Sequence, residues 1–87
     1  MPTGTGLRLK PGKLYFTPFN DITVYPNNHF SMLKRFYLKP YEPFMVTDAK
    51  YPTNPIETWN EYIFLIGIKT YHKLVFNGDL YKFVEVI

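Results

Sequence analysis

The chain has few side chains that could carry out catalysis or bind a metal ion. His29 and His72 are its two histidines, and neither has a second ligand at a metal-binding spacing such as H-x-x-x-H. Ser31 is the single serine, and it lacks the G-x-S-x-G context of a hydrolase nucleophile. We expect His29 in a solvated, Asn-rich loop and His72 in a turn. The sequence therefore predicts no metal site and no nucleophilic serine.

Phosphate binding and acid–base catalysis are also poorly supported by the sequence. Gly12-Lys13 resembles the end of a P-loop, but the nearest upstream glycine is one position too far away and Leu14 replaces the required Ser or Thr. Helix capping explains Glu57, and a solvent-facing strand position explains Glu61, without an acid–base pair. Because the chain has no cysteine, it has no thiolate nucleophile. We therefore predict a protein that is not an enzyme and binds no cofactor.

The composition favours β-structure. The 87 residues include 8 Phe, 8 Tyr, 1 Trp and 8 Pro, whereas alanine occurs once, at Ala49. Aromatic and β-branched side chains prefer strands, and prolines spread from Pro2 to Pro55 leave little room for a long helix. A chain of this length forms one domain with a small core. We expect a flexible lead-in over residues 1–12 and a single all-β domain over residues 13–87.

Charge and the lack of sorting signals predict a soluble, cytoplasmic protein. The net charge of +3 is spread along the chain, which favours acidic partners without the charge density of a nucleic-acid-binding tail. The missing cysteines argue against a small secreted domain stapled by disulfides. The longest apolar run, residues 62–68, is far shorter than the roughly 20 residues that a membrane span needs, and the first residues contain no apolar signal-peptide region. We expect no contact with a membrane.

Several segments have the side-chain types and alternation of strands. Residues 13–19 and 22–25 are separated by an Asn-Asp pair and predict a bent strand pair or a hairpin. Residues 59–69 form the strongest predicted strand, with apolar side chains on both faces, as expected for a covered strand. Asn77-Gly78 favours a two-residue type I′ turn between the last two strands. A proline followed two residues later by a glutamate predicts at most one short helical turn, near residues 55–59.

The segment KRFYLKPYEPFMV, residues 34–46, combines four aromatic residues, three cations and two prolines. Pro40 and Pro43 cannot donate to a ladder, so they predict a turn or bulge between strands at 32–39 and 43–49. Successive strand residues point to opposite faces. The even-numbered side chains form a core-like set: Lys34, Phe36, Leu38, Phe44 and Val46. The odd-numbered ones form a basic, tyrosine-rich stripe that faces water or a partner: Arg35, Tyr37, Lys39 and Tyr41.

Five to six short strands with at most one helical turn fit a small, partly open β-barrel better than a sandwich. The order of elements resembles bacterial SH3-like barrels: a first strand pair, KPYEPFMV opening a strand, the long strand YIFLIGI, and a tight hairpin in KLVFNGDLYKFVEV. The chain is also similar to short accessory proteins of tailed bacteriophages, which often use such barrels. This resemblance implies an SH3-like fold over residues 13–87. It does not imply binding of proline-rich peptides, because the chain has no ALYDY-type aromatic segment.

The number of large side chains leads to the functional prediction. The interior of a small barrel holds about a dozen large side chains, so several aromatic residues must remain on the outside, where they mark an interaction surface. We predict a non-enzymatic protein-interaction module, and the phage resemblance implies that its partner is a host protein whose activity it modulates. The predicted partner-binding residues are Arg35, Tyr37, Lys39, Tyr41, Tyr62 and Phe64.

Two alternative functions stay open. Tyr37 and Tyr41 could stack on the bases of single-stranded nucleic acid while Lys34, Arg35 and Lys39 neutralise phosphates, although the segment lacks the glycine of an RNP1 motif. The strand at residues 59–69 could instead form a homo-oligomer contact in a self-assembling virion or scaffold component.

Overall fold

In the part of the chain that the structure describes, seven antiparallel strands form one sheet that curls into a half-barrel. The structure is a computed structural model and describes residues 8–26, 35–53, 56 and 58–87. In chain order the strands are β1 (Leu14–Phe16), β2 (Thr23–Pro26), β3 (Phe36–Tyr37), β4 (Phe44–Lys50), β5 (Trp59–Ile66), β6 (Lys69–Phe76) and β7 (Val84–Glu85). The predicted all-β fold with a small, barrel-like shape is confirmed. The described residues form one strand more than the five to six expected, and β3 and β7 are only 2 residues long each.

The three longest strands build the centre of the sheet, whose order is β3-β2-β6-β5-β4-β1-β7. β5 pairs with β6 on one side and with β4 on the other, where Val46 lies opposite Phe64. Alternate residues of β5, namely Asn60, Tyr62 and Phe64, are buried, as expected for a strand with one face on a core. The register of β4 shifts between Val46 and Asp48, which increases the local twist.

Gly67 and Ile68 form the two-residue turn between β5 and β6. Gly67 has a φ of +65°, and a glycine at the first central position is what a type II′ hairpin turn requires. The strand predicted at residues 59–69 therefore ends at Ile66 and reverses direction. As a consequence, His72 lies in the middle of β6 and not in a turn, which corrects the prediction.

An aromatic cluster fills the inside of the curled sheet. The rings of Phe44 and Phe64 stack with centroids 4.3 Å apart, and Phe83 packs edge-on against both. Tyr62 lies beside Phe64, and its hydroxyl accepts a hydrogen bond from the Leu9 N–H at 3.1 Å. Burial raises the pKa of Tyr62 to about 12, although that hydrogen bond acts in the opposite direction. Among the described residues, the remaining buried apolar side chains are Leu9, Tyr15, Ile22, Val24, Leu38, Val46, Val75 and Leu80.

Residues 8–12 belong to the folded domain, which corrects the predicted start of the domain. Leu9 is 3% exposed and packs in the core. The Lys10 N–H donates to the Tyr15 hydroxyl at 2.8 Å. These contacts tie the segment to β1 and to the core, so it is not a lead-in without packing partners. Residues 1–7 lie outside the described residues.

The described residues contain neither the bent strand pair or hairpin predicted for residues 13–25 nor the hairpin predicted at Asn77-Gly78. β1 pairs with β4 and β7, while β2 pairs with β3 and β6, so these two strands have no ladder in common. Asn77-Gly78 opens a 3-10 helix, Asn77–Lys82, instead of a turn. The Asn77 N–H donates to the Thr58 carbonyl at 2.6 Å, and the helix buries Leu80, which is 2% exposed. Burial of this leucine outweighs the local preference of Asn-Gly for a hairpin.

The turn predicted at Pro40 and Pro43 is confirmed. The Glu42 N–H donates to the Lys39 carbonyl at 3.2 Å. Tyr41 has a φ of +66°, a left-handed conformation that is uncommon outside glycine, and its N–H donates to the Thr17 carbonyl at 2.8 Å. This hydrogen bond connects the turn to the segment after β1.

Two positions of the helical turn predicted near residues 55–59, namely 55 and 57, lie outside the described residues. Trp59, at the end of that range, already begins β5. Within the described residues, no helix is long and apolar enough to cross a membrane.

Candidate partner-binding surface

Four predicted partner-binding residues lie in β3, beside it or in the turn that follows, and all four are exposed: Arg35, Tyr37, Lys39 and Tyr41. β3 is the last strand at one end of the sheet. Tyr37 is 56% and Tyr41 67% exposed, as the alternation of the sequence predicts. Partner binding by these residues stays a prediction.

The placement of Tyr62 and Phe64 on an accessible surface is wrong. Both side chains are 0% exposed, because β5 lies in the centre of the sheet and these residues point to the inside of the curl. The sequence run is apolar on both faces, so its pattern alone does not show which face the core takes. The alternate residues Ile63 and Leu65 lie on the outer face, where they are partly buried.

Phe36 is a surface residue, although the alternation of the sequence assigns it to the core. Its side chain is 52% exposed, as is expected for a two-residue strand at the end of a sheet. The ring packs edge-on against Tyr71 of β6, with centroids 5.6 Å apart. Phe36 therefore rests on the sheet instead of being enclosed by it.

Two grooves meet at the Phe36–Tyr71 contact. The larger, of about 400 Å³, lies toward the β5–β6 turn and is lined by Pro26, Phe36, Ile68, Lys69, Thr70 and Tyr71. The smaller, of about 140 Å³, is lined on its other side by Tyr37, Lys39 and Glu42 among others. Ile68 at the turn is 95% exposed. We call Phe36, Tyr37, Ile68, Tyr71 and the charged residues beside them the β3–β6 surface.

The charges beside these grooves are mostly positive. Lys39 and Lys69 line the grooves and are exposed, Arg35 is exposed beside Phe36, and Glu42 is the one carboxylate among the described residues that line the two grooves. The Arg35 guanidinium carbon lies 5.9 Å from the centroid of the Tyr37 ring, a distance at which a cation–π attraction acts. The β3–β6 surface thus consists of aromatic rings and the aliphatic side chain of Ile68, with basic residues at its edge.

Tyr41 belongs to a different contact. Its ring stacks on Phe16 of β1, with centroids 5.8 Å apart and an interplanar angle of 30°. The left-handed turn directs the Tyr41 ring toward β1. The predicted stripe is therefore divided between the β3–β6 surface, which includes Tyr37, and the Phe16–Tyr41 pair.

Two further aromatic groups are exposed away from the β3–β6 surface. Trp59 and Phe76 lie opposite each other on the outer face of β5 and β6 and are 41% and 55% exposed. Phe19 and Tyr81 form an edge-on pair with centroids 6.1 Å apart. β5 itself is paired on both sides, so a homo-oligomer through this strand would have to use its outer face and not its backbone.

Glu61 and His72 form a polar pair on the outer face of the sheet. A carboxylate oxygen of Glu61 lies 3.4 Å from Nδ1 of His72, an ion pair when the imidazole is protonated. A groove of about 260 Å³ adjoins the pair and is also lined by Asp48 and Lys50. Glu61 is therefore half-buried beside a histidine and does not simply face solvent. The part of the chain that the structure describes contains no group of three His, Cys, Asp or Glu residues that could hold a metal ion.

Comparison of the chain with protein families, with curated proteins and with solved structures finds no match. The similarity to SH3-like barrels and to phage accessory proteins accordingly stays a prediction from the sequence pattern.

Proposed function

We propose that the protein is a non-enzymatic interaction module that binds another protein through the β3–β6 surface. One observation carries the proposal: Phe36 and Ile68, 52% and 95% exposed, line a groove of about 400 Å³, and Tyr37, 56% exposed, lines the smaller groove that adjoins it. Single exposed apolar residues are common on proteins, but a contiguous group beside a groove is typical of an interaction site.

The shape of this surface favours a protein partner over single-stranded nucleic acid. Nucleic-acid stacking uses flat, accessible aromatic faces along a basic track. On the β3–β6 surface the ring of Phe36 is engaged edge-on with Tyr71, and the neighbouring exposed side chain, Ile68, is aliphatic. A groove walled by such side chains suits an apolar side chain of a protein, with Tyr and Arg residues at its rim as in many interface centres.

The biological setting follows only from the sequence resemblance. If the partner is a host protein of a phage, as the resemblance implies, binding would modulate that protein's activity in the host cytoplasm. A virion or scaffold role through self-association is the competing proposal, in which the exposed apolar side chains would contact a second copy of the chain.

A matched pair of variants tests the proposal. Phe36→Ala removes a half-exposed ring from the β3–β6 surface, whereas Phe76→Ala removes a ring of nearly equal exposure, 55%, from the outer face. Immobilised wild-type protein and both variants are incubated with nuclease-treated host lysate, and a retained protein is purified and titrated by calorimetry. We expect Phe36→Ala to weaken its binding by tenfold or more and Phe76→Ala to leave it unchanged.

Three results would contradict the proposal. Equal loss in both variants would place the contact elsewhere, and retention of nucleic acid alone, with a steep loss on adding salt, would favour the nucleic-acid alternative. If the purified chain sediments as a dimer at high concentration and Phe36→Ala dissociates this dimer, the result would favour self-assembly.

A further inference from the structure

We infer that the β3–β6 surface recognises an acidic segment of the partner in which an apolar side chain is flanked by carboxylates. This inference rests on the proposed function and names the chemistry of the partner at the same site. It comes from the arrangement of charge around the two grooves.

The apolar part of the surface provides the place for one anchoring side chain. Ile68 and Phe36 line the larger groove on two sides, and Tyr71 lies between the larger and the smaller groove. A volume of about 400 Å³ is enough for one large apolar side chain with neighbouring backbone. Anchoring by one such side chain leaves the rest of the segment to lie over the rim.

The basic residues at the rim of the grooves provide the second contact with the segment. Lys69 lines the larger groove, Lys39 lines the smaller one, and the exposed Arg35 lies over the ring of Tyr37, which also lines the smaller groove. Opposed to these cations is the carboxylate of Glu42. Carboxylates placed on either side of an apolar anchor would therefore meet positive charge, whereas a basic segment would be repelled.

Three model peptides test the inference directly. The first contains Leu-Phe-Leu flanked on each side by glutamates, the second replaces every glutamate by glutamine, and the third replaces every glutamate by lysine. Binding of the labelled peptides to the full chain is measured by fluorescence anisotropy at low and at raised salt. We expect the glutamate peptide to bind most tightly and to lose affinity as salt is added, because exposed charges are screened.

Charge-reversal variants assign the effect to the rim. Arg35→Glu with Lys69→Glu should weaken the glutamate peptide about tenfold and strengthen the lysine peptide. Lys10→Glu with Lys50→Glu makes the same change in net charge at exposed positions away from β3 and should leave both affinities unchanged.

The possible outcomes separate this inference from the proposed function. If the glutamine peptide binds as well as the glutamate peptide and Ile68→Ser abolishes both, the surface is an apolar docking site and only the inferred acidity is wrong. If the rim reversal and the control reversal have equal effects, the inference is also overturned, because net charge and not the rim is then responsible. If none of the peptides binds, the inference fails, while the lysate titration with Phe36→Ala still decides the proposed function.

Discussion

Phe64→Ala and Phe36→Ala remove the same ring from two very different places, and their effects on stability should differ accordingly. Phe64 is 0% exposed and contacts the rings of Phe44, Tyr62 and Phe83. Truncation of such a side chain costs about 3–5 kcal/mol, counting both the lost transfer free energy and the cavity left behind. Phe36 is half-exposed and contacts Tyr71 edge-on. Its truncation should cost only about 1–2 kcal/mol.

The size of this difference matters because the whole fold is small. A domain of 87 residues has an expected free energy of unfolding of about 4–13 kcal/mol, so Phe64→Ala should remove a large part of it and, at the low end of this range, unfold the protein. Urea titrations followed by far-UV circular dichroism and by the fluorescence of Trp59, the single tryptophan, measure both variants. Phe64→Leu keeps most of the volume and should recover much of the loss. Equal costs for Phe64→Ala and Phe36→Ala would refute the assignment of one ring to the core and the other to the surface.

Four further predictions concern residues that shape the fold. Because burial raises the pKa of Tyr62 from 10.0 to about 12, the stability that the protonated hydroxyl provides is fully present below pH 10 and is lost as pH rises toward 12, by about 1.4 kcal/mol per pH unit; Tyr62→Phe should make alkaline unfolding, followed by circular dichroism, less steep. Burial lowers the pKa of Lys73, so the charged form of this lysine opposes folding at neutral pH. Lys73→Met should therefore raise the urea midpoint at pH 7, and this increase in the midpoint should disappear above about pH 10.5. The Asn60 amide donates to the Val75 carbonyl at 3.2 Å in a fully buried site. Asn60→Ala should therefore lower the free energy of unfolding by about 1–3 kcal/mol in the same urea titration, a loss that a solvent-exposed asparagine would not show. The methyl group that Gly67→Ala adds meets no atom within 4 Å, but the alanine must adopt a φ of +65°. The substitution should therefore cost about 1–2 kcal/mol through backbone strain alone, and an unchanged urea midpoint would contradict this turn geometry.

The fold class follows from the sequence because its causes are compositional. Many aromatic and β-branched residues, one alanine and dispersed prolines favour strands whatever the tertiary contacts are. The turn at Pro40 and Pro43 follows in the same way, since proline cannot donate to a ladder. Strand pairing is different, because it depends on contacts between distant residues. The position of the main hairpin shows this: Asn77-Gly78 has the stronger local preference, yet the chain turns at Gly67-Ile68 and uses Asn77 to begin a helix.

The candidate surface was only partly predictable for a related reason. Alternation correctly predicts that Tyr37 is exposed, but it cannot show that β3 lies at the end of the sheet, and this position is what exposes Phe36 as well. The same limit applies to β5, where an apolar run on both faces hides the fact that Tyr62 and Phe64 face the core. Ile68 had a usable signal, because Gly-X between two apolar strands fits a type II′ turn. A turn residue of this kind is exposed, so the signal would also have indicated an accessible apolar side chain.

Hydroxyl-radical footprinting of the aromatic rings, with and without a bound partner protein, shows whether the β3–β6 surface is where the partner binds. Mass spectrometry of the digested chain reports the oxidation of each exposed ring separately, including two on the β3–β6 surface, Phe36 and Tyr37, and two elsewhere, Phe76 and Tyr81. If the partner binds the β3–β6 surface, it should protect Phe36 and Tyr37 from oxidation and leave the oxidation of Phe76 and Tyr81 unchanged. Protection of Phe76 or Tyr81 with continued oxidation of Phe36 and Tyr37 would contradict this binding site.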